Sequence, residues 1–241
     1  MMSPDELKKI ANKLQTSQAV ATREYVQHVF LSALYQMRGA DILLFKGGTA
    51  LRIVYGSPRF SEDLDFTGVT LNTQTIEHLL LEVYSRLQEW GMSVNITEAK
   101  ETTGGYLAKI VCMVSGLSVN MKVEISGRQS GKKLAREITR ITNDYIPPYD
   151  IIHPPREEII AGKLAALMRR SKPRDWYDLY FLLKHNYLTK EQLKLLPEIK
   201  KKFASYRGDV KKEIGQFLPE SHRMVLKDFR EYLEREMARF T

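Results

Sequence analysis

Residues 46–65 read Lys46-Gly47-Gly48-Thr49-Ala50-Leu51-Arg52-Ile53-Val54-Tyr55-Gly56-Ser57-Pro58-Arg59-Phe60-Ser61-Glu62-Asp63-Leu64-Asp65, and this stretch decides the fold. The apolar run Ile42–Phe45 before it suits a buried strand, Gly47-Gly48 a tight turn, and the residues from Thr49 to Tyr55 a short helix. A second strand is expected over Asp63–Thr67. On a strand, residues i and i+2 project from one face. Asp63 and Asp65 would therefore point one way, with Leu64 and Phe66 toward the core. Two adjacent carboxylates disfavour each other's charge, and a divalent cation between them removes the conflict. Hard oxygen ligands suit Mg²⁺, which completes its shell with substrate phosphates. A Gly-Gly turn beside a helix start offers bare backbone N–H groups to a phosphate. Singly, a Gly-Gly is only a turn and an Asp-X-Asp a solvated strand end. Together they form equipment for moving a nucleotidyl or phosphoryl group.

Outward from that core, the elements alternate. Ser3, Pro4 and Glu6 form a helix start with a capping box, and residues 4–14 read as helix. Val26, Val29, Phe30, Leu34 and Tyr35 mark a longer helix from Thr22, ended by Gly39-Ala40-Asp41. Thr75–Trp90 is amphipathic. Ser93–Glu98, Tyr106–Ser115 and Ser118–Ser126 alternate with period two, joined at Gly104-Gly105 and Gly116-Leu117. The order predicts an α+β sheet with helices on one side. The pairs Pro147-Pro148 and Pro154-Pro155 mark a lobe boundary, beyond which the pattern is helical. We therefore expect an α+β domain over residues 1–150 and a helical, basic lobe over 151–241.

Composition excludes several classes. The apolar share is 43 % of 241 residues, ordinary for a globular chain. No apolar run approaches the ~20 residues a membrane span needs, so no membrane role is expected. The polar start Met1-Met2-Ser3-Pro4-Asp5-Glu6 is unlike a signal peptide. Cys112 is the only cysteine, so the chain can form no internal disulfide, and its place in an apolar strand reads as a buried thiol. A reducing cytoplasm is the expected location. The formal charge is +8. Residues 1–155 hold 17 basic and 16 acidic side chains, and residues 156–241 hold 20 and 13. The excess therefore lies in the C-terminal third, which suits a polyanion such as RNA or, equally, a solvated lysine-rich helical surface.

Lys46–Leu51 followed by Arg59–Phe66 resembles the AbiEii-type toxin branch of the DNA polymerase β-like nucleotidyltransferases. The resemblance spans roughly residues 20–185. It implies the minimal polymerase β-like sheet with helices, followed by a helical C-terminal lobe. It also implies an NTP-dependent, pyrophosphate-releasing transferase using Mg²⁺ (or Mn²⁺), the toxin of a type IV toxin–antitoxin system. The acceptor implied is RNA, especially the tRNA 3′ end, and a cognate antitoxin is implied that need not bind directly. Nucleotidylation of a protein or small molecule by the same site, or a non-catalytic binding module, are the alternatives.

The family pattern assigns residues as follows. Asp63 and Asp65 hold metal. Superfamily members take a third carboxylate from a neighbouring strand, and Glu124 in Met121-Lys122-Val123-Glu124-Ile125 is the candidate; on an edge strand it would be a solvated glutamate. Lys46, Gly47, Gly48, Thr49, Arg59 and Ser61 are candidates for phosphate, with Arg59 able instead to brace Asp63 and Asp65. A second block, Lys163 followed by Lys172-Pro173-Arg174-Asp175-Trp176-Tyr177-Asp178, resembles the family's helix lysine and Arg-Asp-X-X-Asp helix start. It implies Lys163 on the triphosphate and Asp175 as an orienting carboxylate, in a cleft between the two lobes. Asp175 could equally cap its helix, and Asp178 could serve only an ion pair. The resemblance does not extend to residues 186–241; their lysines and Tyr206 suit single-stranded RNA or an exposed helical face.

Overall fold

A computed structural model describes residues 1–69, 72–127 and 134–240. The chain divides into two compact units: Met1–Gly56 with Phe60–Pro154, and Pro155–Thr241 with the short segment Ser57–Arg59.

The first unit is α+β. Helix α1 (Pro4–Lys13) starts in the expected capping box, with the Ser3 hydroxyl accepting from the Glu6 N–H and the Glu6 carboxylate accepting from the Ser3 N–H. Helix α2 (Gln18–Tyr35) begins four residues before the expected Thr22, because Ser17 caps it. Residues on all its faces are buried, which marks a central helix rather than a surface one. Then come β1 (Leu43–Lys46), α3 (Gly47–Ile53), β2 (Leu64–Gly68), α4 (Thr73–Glu89), β3 (Ser93–Thr102), β4 (Gly105–Val114) and β5 (Leu117–Gly127). These strands form one sheet in the order β1-β2-β5-β4-β3, with only β2 and β5 parallel. On β4 and β5 the buried residues Ala108, Ile110, Cys112, Met121, Val123 and Ile125 share one face. Helices α2 and α4 pack against the sheet and against each other. The apolar side chains of α4 turned inward include Ile76, Leu80, Val83 and Leu87. Each fully buried side chain of this size stabilises the fold by about 1.5–3 kcal/mol. The opposite sheet face carries the polar series Lys109, Asn120, Lys122 and Glu124.

A second, two-stranded sheet, β6 (Glu137–Ile141) with β7 (Tyr149–His153), was not expected from the sequence. These strands are five residues each and flank a proline pair, so period two has almost no length in which to show. Strand β7 packs on α2 and β1. The polar residues of α2 find partners here: His28 Nδ1 meets the Tyr149 hydroxyl at 2.8 Å, and the Tyr145 hydroxyl donates to Glu24. Arg52 of α3 closes the group with a 2.7 Å bond to Glu24. Burial pushes the His28 imidazole down to about 4, so it stays neutral in this network.

The second unit is helical: α5 (Arg156–Arg170), α6 (Pro173–Lys184), α7 (Lys190–Leu193), α8 (Leu196–Ser205), α9 (Val210–Ile214) and α10 (Phe229–Ala238). Helix α6 is its centre, packed on α5, α9 and α10. Ile160, Leu164 and Leu167 form the inward stripe of α5 at the expected spacing. Trp176 of α6 packs against Phe203 of α8 with ring centroids 4.8 Å apart. Among the described residues no helix is long and apolar enough to cross a membrane.

Candidate active site

The α+β unit gathers the carboxylates of the Asp-X-Asp segment around the β1–α3 turn. Lys46 is the register partner of Asp65 across β1 and β2, and Asp65 is the partner of Glu124 across β2 and β5. Register partners point to the same sheet face, so Lys46, Asp65 and Glu124 stand in one row. Leu64 and Phe66, fully buried, hold the opposite face and so lock that orientation. The chain enters helix α3 through Gly47 at φ +86°. A Cβ added there would stand 2.1 Å from Asp65 Oδ2 and 2.8 Å from its Cγ. Only glycine permits both the backbone angle and this approach.

Asp63 lies one residue before β2, not within it as expected. Its position is held from two sides instead. The Thr49 hydroxyl donates to the Asp63 carbonyl at 2.5 Å, and the buried Gln27 amide donates to the carbonyls of Ser61 and Glu62. Lys122 bridges Asp63 and the Glu124 end of the row: its Nζ is 3.1 Å from Asp63 Oδ2 and 3.0 Å from Glu124 Oε2. Burial disfavours the Lys122 charge, but hydrogen bonds to Glu124 and Asp63, and their charges, outweigh it and raise the ammonium's pKa. Lys46 Nζ donates to the Ser126 hydroxyl at 2.5 Å.

The helical unit has a second ionic centre. Asp178 is fully buried and accepts from Arg59 Nε at 2.8 Å, Arg59 Nη2 at 3.1 Å and Lys163 Nζ at 2.8 Å. Burial alone would raise the Asp178 pKa, yet the Arg59 and Lys163 charges hold it below the ordinary value. Arg59 therefore braces Asp178, and Lys163 is held by the same carboxylate. Asp175 has a different setting. It accepts from the Lys172 N–H at 3.0 Å, at the start of α6, and pairs with Arg170 through two bonds. Of the two aspartates in this block, Asp178 is the one beside Lys163.

Residues 29–241 match the family described as nucleotidyl transferase AbiEii toxin, type IV TA system. The chain belongs to the AbiEii family. Two solved structures from Helicobacter pylori share its fold. One, described as a candidate nucleotidyltransferase, has 23 % identity and a TM-score of 0.63, with 93 % of this chain and 99 % of that chain covered. The other, JHP933, has 24 % identity and a TM-score of 0.62, with 93 % and 95 % covered. No curated protein matches the chain at a comparable standard.

As an AbiEii-family member the chain is a nucleotidyltransferase, and a type IV toxin–antitoxin family implies a nucleotide substrate and an antitoxin partner. Among the described residues no three His, Cys, Asp or Glu side chains are already gathered as a metal cluster. The donor chemistry of Asp63, Asp65 and Glu124 nonetheless suits a hard cation, and the ammonium of Lys122 lies between Asp63 and Glu124. Sequence reasoning passed over Lys122 and Gln27 as site residues. The alternation that put Glu124 on the charged face put Lys122 there too, and was the available signal. No local pattern marks Gln27, whose partners lie 34 and 35 residues away.

Proposed function

We propose that this AbiEii-family chain transfers a nucleotide from a nucleoside triphosphate to the 3′ end of an RNA, with tRNA the leading acceptor, and that it acts in the cytoplasm as the toxin of its pair. The observation that carries the reading is the row Lys46–Asp65–Glu124, with the Gly47 backbone pressed against the Asp65 carboxylate. The acceptor hydroxyl oxygen bonds to the α-phosphorus, the bond to pyrophosphate breaks, and the hydroxyl proton is lost to water. Asp63, Asp65 and Glu124 would hold Mg²⁺ (or Mn²⁺), which would supply charge neutralisation at the phosphates. The chain's own part is alignment. Lys46, Gly47, Gly48, Thr49 and Ser61 are the residues proposed to meet the phosphates. Lys163, whose Nζ lies 2.8 Å from Asp178, is the cation proposed for the triphosphate.

The test incubates the purified chain with each α-labelled triphosphate, Mg²⁺ and total RNA, then asks which material gains label. Label in RNA, released by 3′-exonuclease and lost with Asp63→Ala, is the expected result. Label in protein or in a small molecule would refute the RNA acceptor, and no label under any condition would refute transfer.

A further inference from the structure

A pocket of about 370 Å³ opens beside Asp63 within the α+β unit, within the roughly 300–1,000 Å³ typical of ligand sites. Arg23, Asp63, Thr97, Lys109, Asn120 and Lys122 line it. Its floor is the polar face of β3, β4 and β5, and Arg23 comes from α2. Three cations meet here, each beside a carboxylate: Arg23 at 3.2 Å from Glu62, Lys109 at 2.6 Å from Glu98, and Lys122 at 3.1 Å from Asp63. The Arg23 Nε is buried and meets no hydrogen-bond partner among the described residues. A buried donor left unpaired is costly and calls for an acceptor oxygen. The register of β3 against β4 shifts between Ile96 and Glu98, so Thr97 sits at a bulge; bulges re-aim side chains beside functional sites.

We propose that this pocket seats the terminal nucleotide of the acceptor RNA strand; the inference rests on the transfer reading above. The sheet order gives the reason. Gly47 and the β1–α3 turn, proposed for the donor phosphates, lie on the β1 side of β2 and β5. The pocket lies on the β4–β3 side, with Asp63 at its margin. In-line displacement brings the attacking oxygen and the leaving pyrophosphate from opposite sides of the phosphorus. A donor on the β1 side thus asks for an acceptor on the β3 side. Arg23 and Lys109 suit a phosphodiester, and the exposed Asn120 amide can both donate to and accept from a base edge.

The test measures binding of a 5′-fluorescein single-stranded RNA by anisotropy with the full chain, without triphosphate or divalent ion. Triphosphate affinity is measured in parallel by equilibrium dialysis. Asn120→Trp fills the pocket without changing charge and should weaken RNA binding at least tenfold while triphosphate affinity stays within twofold. Lys109→Gln should weaken RNA binding and reduce the slope of log affinity against log salt by about 0.7, the effect of one single-strand phosphate going unneutralised. Both positions are exposed, and unchanged circular dichroism confirms folded variants. RNA affinity unchanged in both variants would overturn the proposal. Equal losses of RNA and triphosphate affinity would overturn it too, by making this the donor's pocket. If the wild-type chain binds RNA here yet transfers nothing, the transfer reading fails and the pocket stands.

Discussion

Replacing Asp178 with alanine removes the shared acceptor of three charge-assisted hydrogen bonds, two from Arg59 and one from Lys163. Such bonds are worth about 1.5–3 kcal/mol each, but these share one carboxylate and do not add. The larger effect is what remains. The Arg59 side chain is 5 % exposed and would keep its charge after losing this carboxylate. Breaking a buried ion pair from one side costs about 3–5 kcal/mol. That is a large part of the ~5–15 kcal/mol holding a typical domain folded. Lys163→Met should cost less, on the order of 1 kcal/mol, because Asp178 then keeps its two Arg59 bonds. Urea unfolding reads both as shifts in midpoint at constant slope. The Asp178 pKa is lowered in the folded chain. The stability it contributes is therefore fully present above the unfolded carboxylate value of about 3.9 and is lost as pH falls through the lower folded value. The gap between wild type and Asp178→Ala should narrow over that acid range. An Asp178→Ala variant within about 1 kcal/mol of wild type at neutral pH would refute the reasoning, since a buried ion pair is not broken from one side so cheaply.

Gly47→Ala should slow transfer by about a hundredfold, the usual effect of displacing a reacting group by ~1 Å, because its Cβ forces Asp65 aside. Gly56→Ala is the control: Gly56 has φ +72° with open space around it, so a kcat loss equal to that of Gly47→Ala would deny the Asp65 approach any role. Asp63→Ala and Asp65→Ala should each lower kcat by at least a hundredfold without lowering Tm, and a variant of either with wild-type turnover in Mg²⁺ would remove it from the metal site. Joint replacement of Lys200, Lys201 and Lys202 by glutamine should weaken RNA binding and flatten its salt dependence, by about 0.7 in slope for each RNA phosphate that these lysines neutralise. A salt slope identical to wild type would leave those lysines as solubilising surface.

Much of the α+β unit could be read from local signals, because those signals are short-range. The capping box at Ser3 and Glu6, the alternation along β4 and β5 and the Gly-Gly turn before α3 each involve residues within a few positions of one another. Local stereochemistry alone enforces them. Resemblance to the family, carried by Lys46–Leu51 and Arg59–Phe66, pointed to the same fold. The short strands β6 and β7 escaped because five residues hold too few alternations to rise above chance. The early start of α2 escaped although its signal, the Ser17 cap, is local; the burial of Glu24, Gln27 and His28 on that helix escaped because their partners are distant in sequence. The ionic arrangements were beyond local reading altogether. Arg59 and Asp178 are 119 residues apart, and nothing in either neighbourhood tells which of Asp175 and Asp178 will face Lys163. Likewise, alternation put Lys122 and Glu124 on one face, but only the parallel pairing of β2 with β5 set that face beside Asp63 and Asp65. A sequence determines which faces its segments will bury, since that follows from side-chain spacing. Which charges then meet depends on how the buried faces stack, and the stacking is settled by packing the whole core at once.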